Sequence, residues 1–239
     1  MTTLGVIFLT AIEGLQNVGH FWDMGPWEMN FLYWLNSLHG PFINVIFLII
    51  TTLGDHGFLW IASGVIMLLF KKTRKMGIYV VITYLLIGGA NDFIVKRLFD
   101  RSRPFYQKTI DVYGDKAQTI QDSVVATFYG KGVFLGFMKI PTNRSFFSGH
   151  SVASLACALM MLFHSKKLGI PMTILAVLIG FSRLWFGVHW PTDVIFGFLF
   201  AIVATIGLYF LLRFLEPKVI HLFNKIFHKE EKETVQKDA

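Results

Sequence analysis

Long apolar runs alternate with short polar breaks along most of this chain. The runs Phe31–Leu53, Gly57–Phe70, Met76–Ile94, His150–His164, Ile170–Val188 and Val194–Leu215 carry few or no charges. A helix crossing a hydrocarbon core needs about 20 mainly apolar residues. The pattern therefore predicts an all-α fold, a polytopic membrane bundle of about six transmembrane helices. Several runs are short, so their ends must reach the interface or sit inside the bundle. Pro41 lies inside the first run, where it kinks or starts a helix. Ser148 reads as the N-cap of the fourth helix.

The breaks set the organisation. Trp22, Trp27 and Trp34 suggest that residues 1–30 form an interfacial segment, because indole rings favour the headgroup region. Residues 31–215 form the transmembrane domain. Within it, 105–147 is the longest polar stretch, and it is read as an extracytoplasmic cap, since loops of that length are rarely plain connectors. Residues 216–239 form a charged cytoplasmic tail, a solvated helix or disordered end.

Composition supports this reading. Of 239 residues 54% are hydrophobic and 15% charged, too little charge for an ordinary soluble domain. The net charge of +7 is not spread as a nucleic-acid-binding surface. It gathers in Lys71-Lys72-Thr73-Arg74-Lys75, in Lys166-Lys167 and after Arg213, beside apolar runs where a positive-inside bias is expected. That bias makes both termini cytoplasmic. It also places the segment near Lys96, the segment near His150 and residues 182–193 together on the opposite face. No cleavable leader is read in Met1–Ala11, which lacks a basic start. The lone Cys157 reads as a small buried hydrophobe.

Three segments on that face carry ionisable groups that are expensive in an apolar setting. The first, Lys96-Arg97-Leu98-Phe99-Asp100-Arg101-Ser102-Arg103-Pro104, puts four cations at the mouth of a span, where they suit a phosphate or diphosphate. Asp100 is read as balancing its neighbours. The second, Ser145-Phe146-Phe147-Ser148-Gly149-His150, leads into a helix whose first N–H groups can bind an anion, with Gly149 allowing close approach. His150 can protonate a leaving oxygen there. The third, Ser182-Arg183-Leu184-Trp185-Phe186-Gly187-Val188-His189-Trp190-Pro191-Thr192-Asp193, supplies an anion grip, a nucleophile or acid–base group, and a carboxylate to orient it. Pro191 implies a turn or helix start between His189 and Asp193. Asn91 and Asp92 read as helix-packing groups. Asp55 and His56 could border the site, and His20, His39 and His164 read as interfacial or structural.

Together the three segments resemble the type 2 phosphatidic acid phosphatase superfamily. Its first motif, Lys, six residues, Arg-Pro, is met by Lys96, Arg103 and Pro104; its second, Pro-Ser-Gly-His, by Ser148, Gly149 and His150. Its third, Ser-Arg, five residues, His, three residues, Asp, is met by Ser182, Arg183, His189 and Asp193. Phe147 stands where the family usually has proline, a departure that removes no catalytic group.

The resemblance implies a lipid phosphate as substrate and metal-independent hydrolysis without a cofactor. In that mechanism His189 attacks phosphorus, Asp193 holds its imidazole, and His150 protonates the leaving oxygen and later activates water. Lys96, Arg103, Ser148, Gly149 and Arg183 hold the phosphoryl oxygens. From the residues themselves two alternatives remain: a phosphatase or phosphotransferase acting on a soluble sugar phosphate, and a non-catalytic lipid-phosphate binder or transporter.

Overall fold

The computed structural model describes residues 25–99, 101–128 and 144–237. Every regular element among them is helical. In chain order these are α1 (Pro26–Ser37), α2 (Pro41–Leu53), α3 (Phe58–Leu68), α4 (Arg74–Leu98), α5 (Gln107–Tyr113), α6 (Asp115–Phe128), α7 (Gly149–His164), α8 (Lys166–Trp185) and α9 (Pro191–Lys237).

The first apolar run is not one helix. It divides into α1 and α2, which meet at 119°. Pro41 opens α2, and Gly40 before it is extended at φ −152°, as the pre-proline position prefers. His39 braces the corner: its ring stacks on Trp185 at 4.8 Å and its Nε2 lies 2.8 Å from the Trp185 carbonyl oxygen. The expected interfacial segment, residues 1–30, falls mostly outside the described residues. Residues 1–24 are not among them, and residues 26–30 are the first turns of α1.

Three helices, α4, α8 and the Pro191–Lys218 part of α9, are long and apolar enough to cross a membrane, and the bent pair α1–α2 could serve as a fourth span. Asp55–Leu68 and α7 are shorter apolar helices. Within the region expected to form a cap, α5 and α6 are described, while residues 129–143 are not. The charged tail continues α9 as helix to Lys237.

Helix α7 is the hub of the bundle. It packs on α4, α8 and α9, and its residues Val152, Ala156, Cys157, Ala158, Met160 and Met161 are fully buried. A helix that is apolar all round belongs in an interior, and the small residues let neighbouring backbones come close. Around it lies one apolar cluster with Trp60, Val80 and Ile179; Trp60 Nε1 donates to Ser154 Oγ at 3.1 Å. A second cluster joins Met29, Leu32 and Leu35 of α1 to Ile120 of α6 and to Val188 and Trp190. On the outside, Phe42, Phe58 and Val203 are more than 70% exposed, as lipid-facing side chains would be.

Helices α3 and α4 touch backbone to backbone. A Cβ on Gly77 would lie 2.5 Å from the Gly64 carbonyl oxygen and 2.9 Å from Met67 Cβ. Gly77→Ala is therefore expected to destabilise the protein by about 1–3 kcal/mol through overpacking, read as a lower thermal midpoint in detergent. Gly207→Ala, at a position with nothing within 4 Å, is expected to leave the midpoint unchanged.

Candidate active site

Helix ends build this site. Lys96 sits at the end of α4, Gly149 and His150 open α7, Arg183 lies in the last turn of α8 and Asp193 in the first turn of α9. The loop residues Arg101, Arg103 and Ser145 close it, and a backbone bond from Ser145 N to the Arg101 carbonyl (3.0 Å) ties their two loops together. All eight residues singled out in the sequence are brought to this one end of the bundle.

His189 is 2% exposed and held on both ring nitrogens. Nδ1 lies 3.2 Å from Asp193 Oδ2, and Nε2 lies 3.1 Å from an Arg103 guanidinium nitrogen. A guanidinium can only donate, so Nε2 accepts and the ring proton resides on Nδ1, facing Asp193. The lone pair of Nε2 thus points to the cationic side. Burial, followed by the charge of Arg103, holds the His189 imidazole well below its ordinary pKa against the opposing pull of Asp193. His189 is therefore neutral at pH 7, the form a nucleophile requires. Burial and the neighbouring Arg183 lower Arg103 to about 10, which leaves it cationic at that pH.

Asp193 is wholly buried and fully used. Oδ2 accepts from Ser145 Oγ and from Trp190 N (2.9 Å) besides His189, and Oδ1 accepts from Arg101 at 2.7 Å. The Trp190 bond makes Asp193 the reaching-back member of a capping box at the start of α9. Pro191 opens that helix, where its missing N–H costs nothing.

His150 has its own carboxylate: its Nε2 lies 2.7 Å from Asp55 Oδ1. Asp55 reaches it from the tight turn after α2. There His56 and Gly57 both have positive φ (51° and 66°), and Tyr84 donates to the His56 carbonyl at 2.8 Å. A Cβ on Gly54 would fall 2.8 Å from the His150 ring, so glycine there lets the imidazole pack against the turn.

The four cations of the first segment have different fates. Arg97 is exposed, and Arg101 is buried between two carboxylates, bonding Glu28 at 2.5 Å as well as Asp193. Arg101 is thus neutralised, while Lys96 pairs with the half-exposed Asp92 at 2.6 Å. Arg103 points at neutral acceptors: the Val188 carbonyl at 2.6 Å, the Arg144 carbonyl at 3.4 Å and His189. Arg183 donates one nitrogen to Thr51 Oγ1 at 2.6 Å, and its buried Nε has no partner among the described residues. Asn91 is also buried. It lies against Gly149 of α7, a contact between helices that agrees with the expected packing role, and its amide has no hydrogen-bond partner among the described residues. Buried polar groups normally find partners. Unfilled donors beside two histidines are therefore suited to an oxyanion.

Ser148 caps α7 as expected, accepting from Ser151 N at 3.4 Å, while its own N–H donates to the Asp193 carbonyl at 3.2 Å. His39 and His164 are structural, as expected. His164 bonds the Met160 carbonyl and packs edge-on against Tyr79, His39 braces the corner described above, and His20 lies outside the described residues, as does Asp100. Sequence reasoning passed over Glu28, Thr51 and the true partners of Arg101. Only Arg101 left a local trace, as one member of a basic cluster.

The PAP2 superfamily model matches residues 75–216. An undecaprenyl-diphosphatase of Sulfolobus acidocaldarius is 27% identical over 197 residues, 81% of this chain and 79% of that protein. Undecaprenyl-diphosphatase BcrC of Bacillus subtilis is 38% identical over 92 residues, 36% of this chain and 47% of the relative. In fold, the chain is similar to the crystal structure of a transmembrane PAP2 type phosphatidylglycerolphosphate phosphatase from Bacillus subtilis. The TM-score is 0.53 at 22% identity, over 90% of this chain and 96% of that one.

Gly149 stands where an anion would approach the first N–H groups of α7. A Cβ there would sit 3.2 Å from both Lys96 Nζ and Asp92 Oδ1. Gly149→Ala is expected to weaken inorganic phosphate binding about tenfold, equivalent to roughly 1.4 kcal/mol, by isothermal titration calorimetry.

Proposed function

Because this chain belongs to the PAP2 superfamily, we propose that it is an integral-membrane phosphatase that hydrolyses lipid phosphates without a metal. The observation that carries the reading is the state of His189: neutral, tied to Asp193 through Nδ1, with the Nε2 lone pair facing Arg103. That is an activated nucleophile beside a phosphate-binding cation.

In the first step His189 Nε2 bonds to phosphorus while the bond from phosphorus to the leaving oxygen breaks. Lys96, Arg103, Arg183, Ser148 and the first N–H groups of α7 hold the phosphoryl oxygens and offset their charge. His150, its ring held by Asp55, gives the leaving oxygen its proton. In the second step water loses a proton to His150 and attacks the phosphohistidine. Inorganic phosphate leaves, and both histidines return to their starting states.

Undecaprenyl diphosphate is the proposed substrate class. It is supported by the two relatives above, whose names carry that activity, and by the apolar exterior that would keep a long tail in the bilayer. Six membrane-crossing segments, with the site on the extracytoplasmic face, give that headgroup its access. The chain would reside in a bacterial cell membrane.

Two measurements test this. His189→Ala is expected to abolish phosphate release from undecaprenyl diphosphate, phosphatidylglycerol phosphate and phosphatidic acid and to prevent acid-labile labelling of the protein; activity near wild type would refute the nucleophile. Across that panel, with glucose 6-phosphate added, the long-chain diphosphate is expected to be turned over fastest. For topology, cysteines placed at Lys72 and Lys167 in a Cys157→Ser background are expected to react with an impermeant maleimide only after the cells are opened. Labelling in intact cells would invert the orientation.

A further inference from the structure

Asp193 does not hold His189 unaided. Behind it stands Arg101, 7% exposed, which places one guanidinium nitrogen 2.7 Å from Asp193 Oδ1 and 2.6 Å from Thr192 Oγ1. Behind Arg101 stands Glu28, 1% exposed, in the first turn of α1. Its Oε2 bonds Arg101 at 2.5 Å, and its Oε1 accepts from Thr192 N at 3.0 Å and Thr192 Oγ1 at 2.7 Å. The Trp190 ring closes one face of Arg101, 5.2 Å from the guanidinium carbon.

The need for this arrangement follows from the start of α9. Its flanking residue, Trp190, has no side-chain oxygen to satisfy the first free N–H groups. Glu28 supplies that oxygen from another helix, at the positive end of the α9 dipole. The same carboxylate fixes Arg101, which in turn fixes Asp193. A buried charge left without its partner is costly, so these groups hold one another in a single geometry.

We propose that Glu28 and Arg101 are positioning residues for the nucleophile, forming a relay from Glu28 through Arg101 and Asp193 to His189. Helix α1, outside the 75–216 match to the family, is then part of the catalytic centre. The inference rests on His189 acting as nucleophile. It adds a sign to each variant. The charged groups facing His189 are Arg103, Arg183 and Asp193, with Arg101 and Glu28 behind Asp193. Removing the Glu28 charge leaves Arg101 to draw on Asp193 alone and makes the surroundings of His189 more positive. Removing the Arg101 charge does the opposite.

The test measures kcat, KM and the pH profile of kcat/KM for Glu28→Gln, Arg101→Gln and the double variant. It uses the full chain in detergent and whichever panel lipid the wild type turns over fastest. Each single variant is expected to lower kcat by about 10–100-fold, the usual cost of losing such an outer partner, with KM changed less than about twofold. The acid limb of the profile is expected to move to lower pH in Glu28→Gln and to higher pH in Arg101→Gln. In the double variant it is expected to return towards the wild-type position. Limbs that move together, or do not move, would overturn the relay, as would wild-type kcat in Glu28→Gln. Should Glu28→Gln not fold, Glu28→Asp keeps the charge and shortens its reach. A reduced kcat with an unmoved limb supports the relay, and an unchanged kcat overturns it. His189→Ala in the same assay separates the two readings: if it stays active the nucleophile is wrong, and if it is dead while the limbs do not part, only the relay is.

Discussion

A wholly buried carboxylate is the constraint around which this end of the bundle is arranged. Asp193 has no exposure, so every lone pair must find a donor inside the protein. Three segments supply them: the loop between α4 and α5 through Arg101, the segment before α7 through Ser145, and the turn between α8 and α9 through His189 and Trp190 N. The Asp193 backbone carbonyl takes a fifth bond, from Ser148 N, at the mouth of the α7 anion cradle. Fixing this one residue therefore sets the tautomer of His189, the start of α9 and the approach of α9 to α7.

Charge is sorted by the same logic. Arg101 and Arg103 are two residues apart and both buried, yet they do opposite work. Arg101 lies between Glu28 and Asp193, and its charge is consumed within the protein. Arg103 meets the Val188 and Arg144 carbonyls and the imidazole lone pair, so it stands on the His189 side of the site. Arg183 gives one nitrogen to Thr51, and its buried Nε has no partner among the described residues. The first arrangement contributes rigidity and the second contributes attraction, and a site for a multiply charged phosphate needs both.

Much of this could be read from the chain, for a physical reason. Lys96, Arg103, Ser148, His150, Arg183, His189 and Asp193 fall in three short segments, and each segment is a helix end whose local chemistry is visible: a capping serine, a proline at the first helical position, a histidine four residues from an aspartate. Glu28 was different, and so was the pairing of Asp55 with His150, although topology had set Asp55 at the border of the site. The two carboxylates meet their partners across 73 and 95 residues, and nothing in local spacing encodes such a meeting. The bend between α1 and α2 was half visible. Pro41 marked where a helix could begin, but an unbroken apolar run says nothing of direction, and the 119° turn depends on His39 meeting Trp185.

The short length of α7 gains meaning from its surroundings. At 1.5 Å per residue its 16 residues extend about 24 Å, less than the roughly 30 Å of a hydrocarbon core. A lipid-facing helix that short would leave backbone groups in the wrong medium. α7 avoids this because α4, α8 and α9 enclose it. Its N-terminus can then lie within the bundle, where N–H groups and the helix dipole act on an anion at low dielectric, more strongly than they would at a wet surface. The cover above it is also apolar: Phe105 and Phe146 are buried, and Met29 and Leu32 of α1 pack with Ile120 of α6 and Val188. Helix α1 thus has two tasks in one turn, Met29 closing the apolar roof and Glu28 anchoring the charged floor. This coupling explains how a segment with no phosphate-binding residue of its own comes to be built into the site.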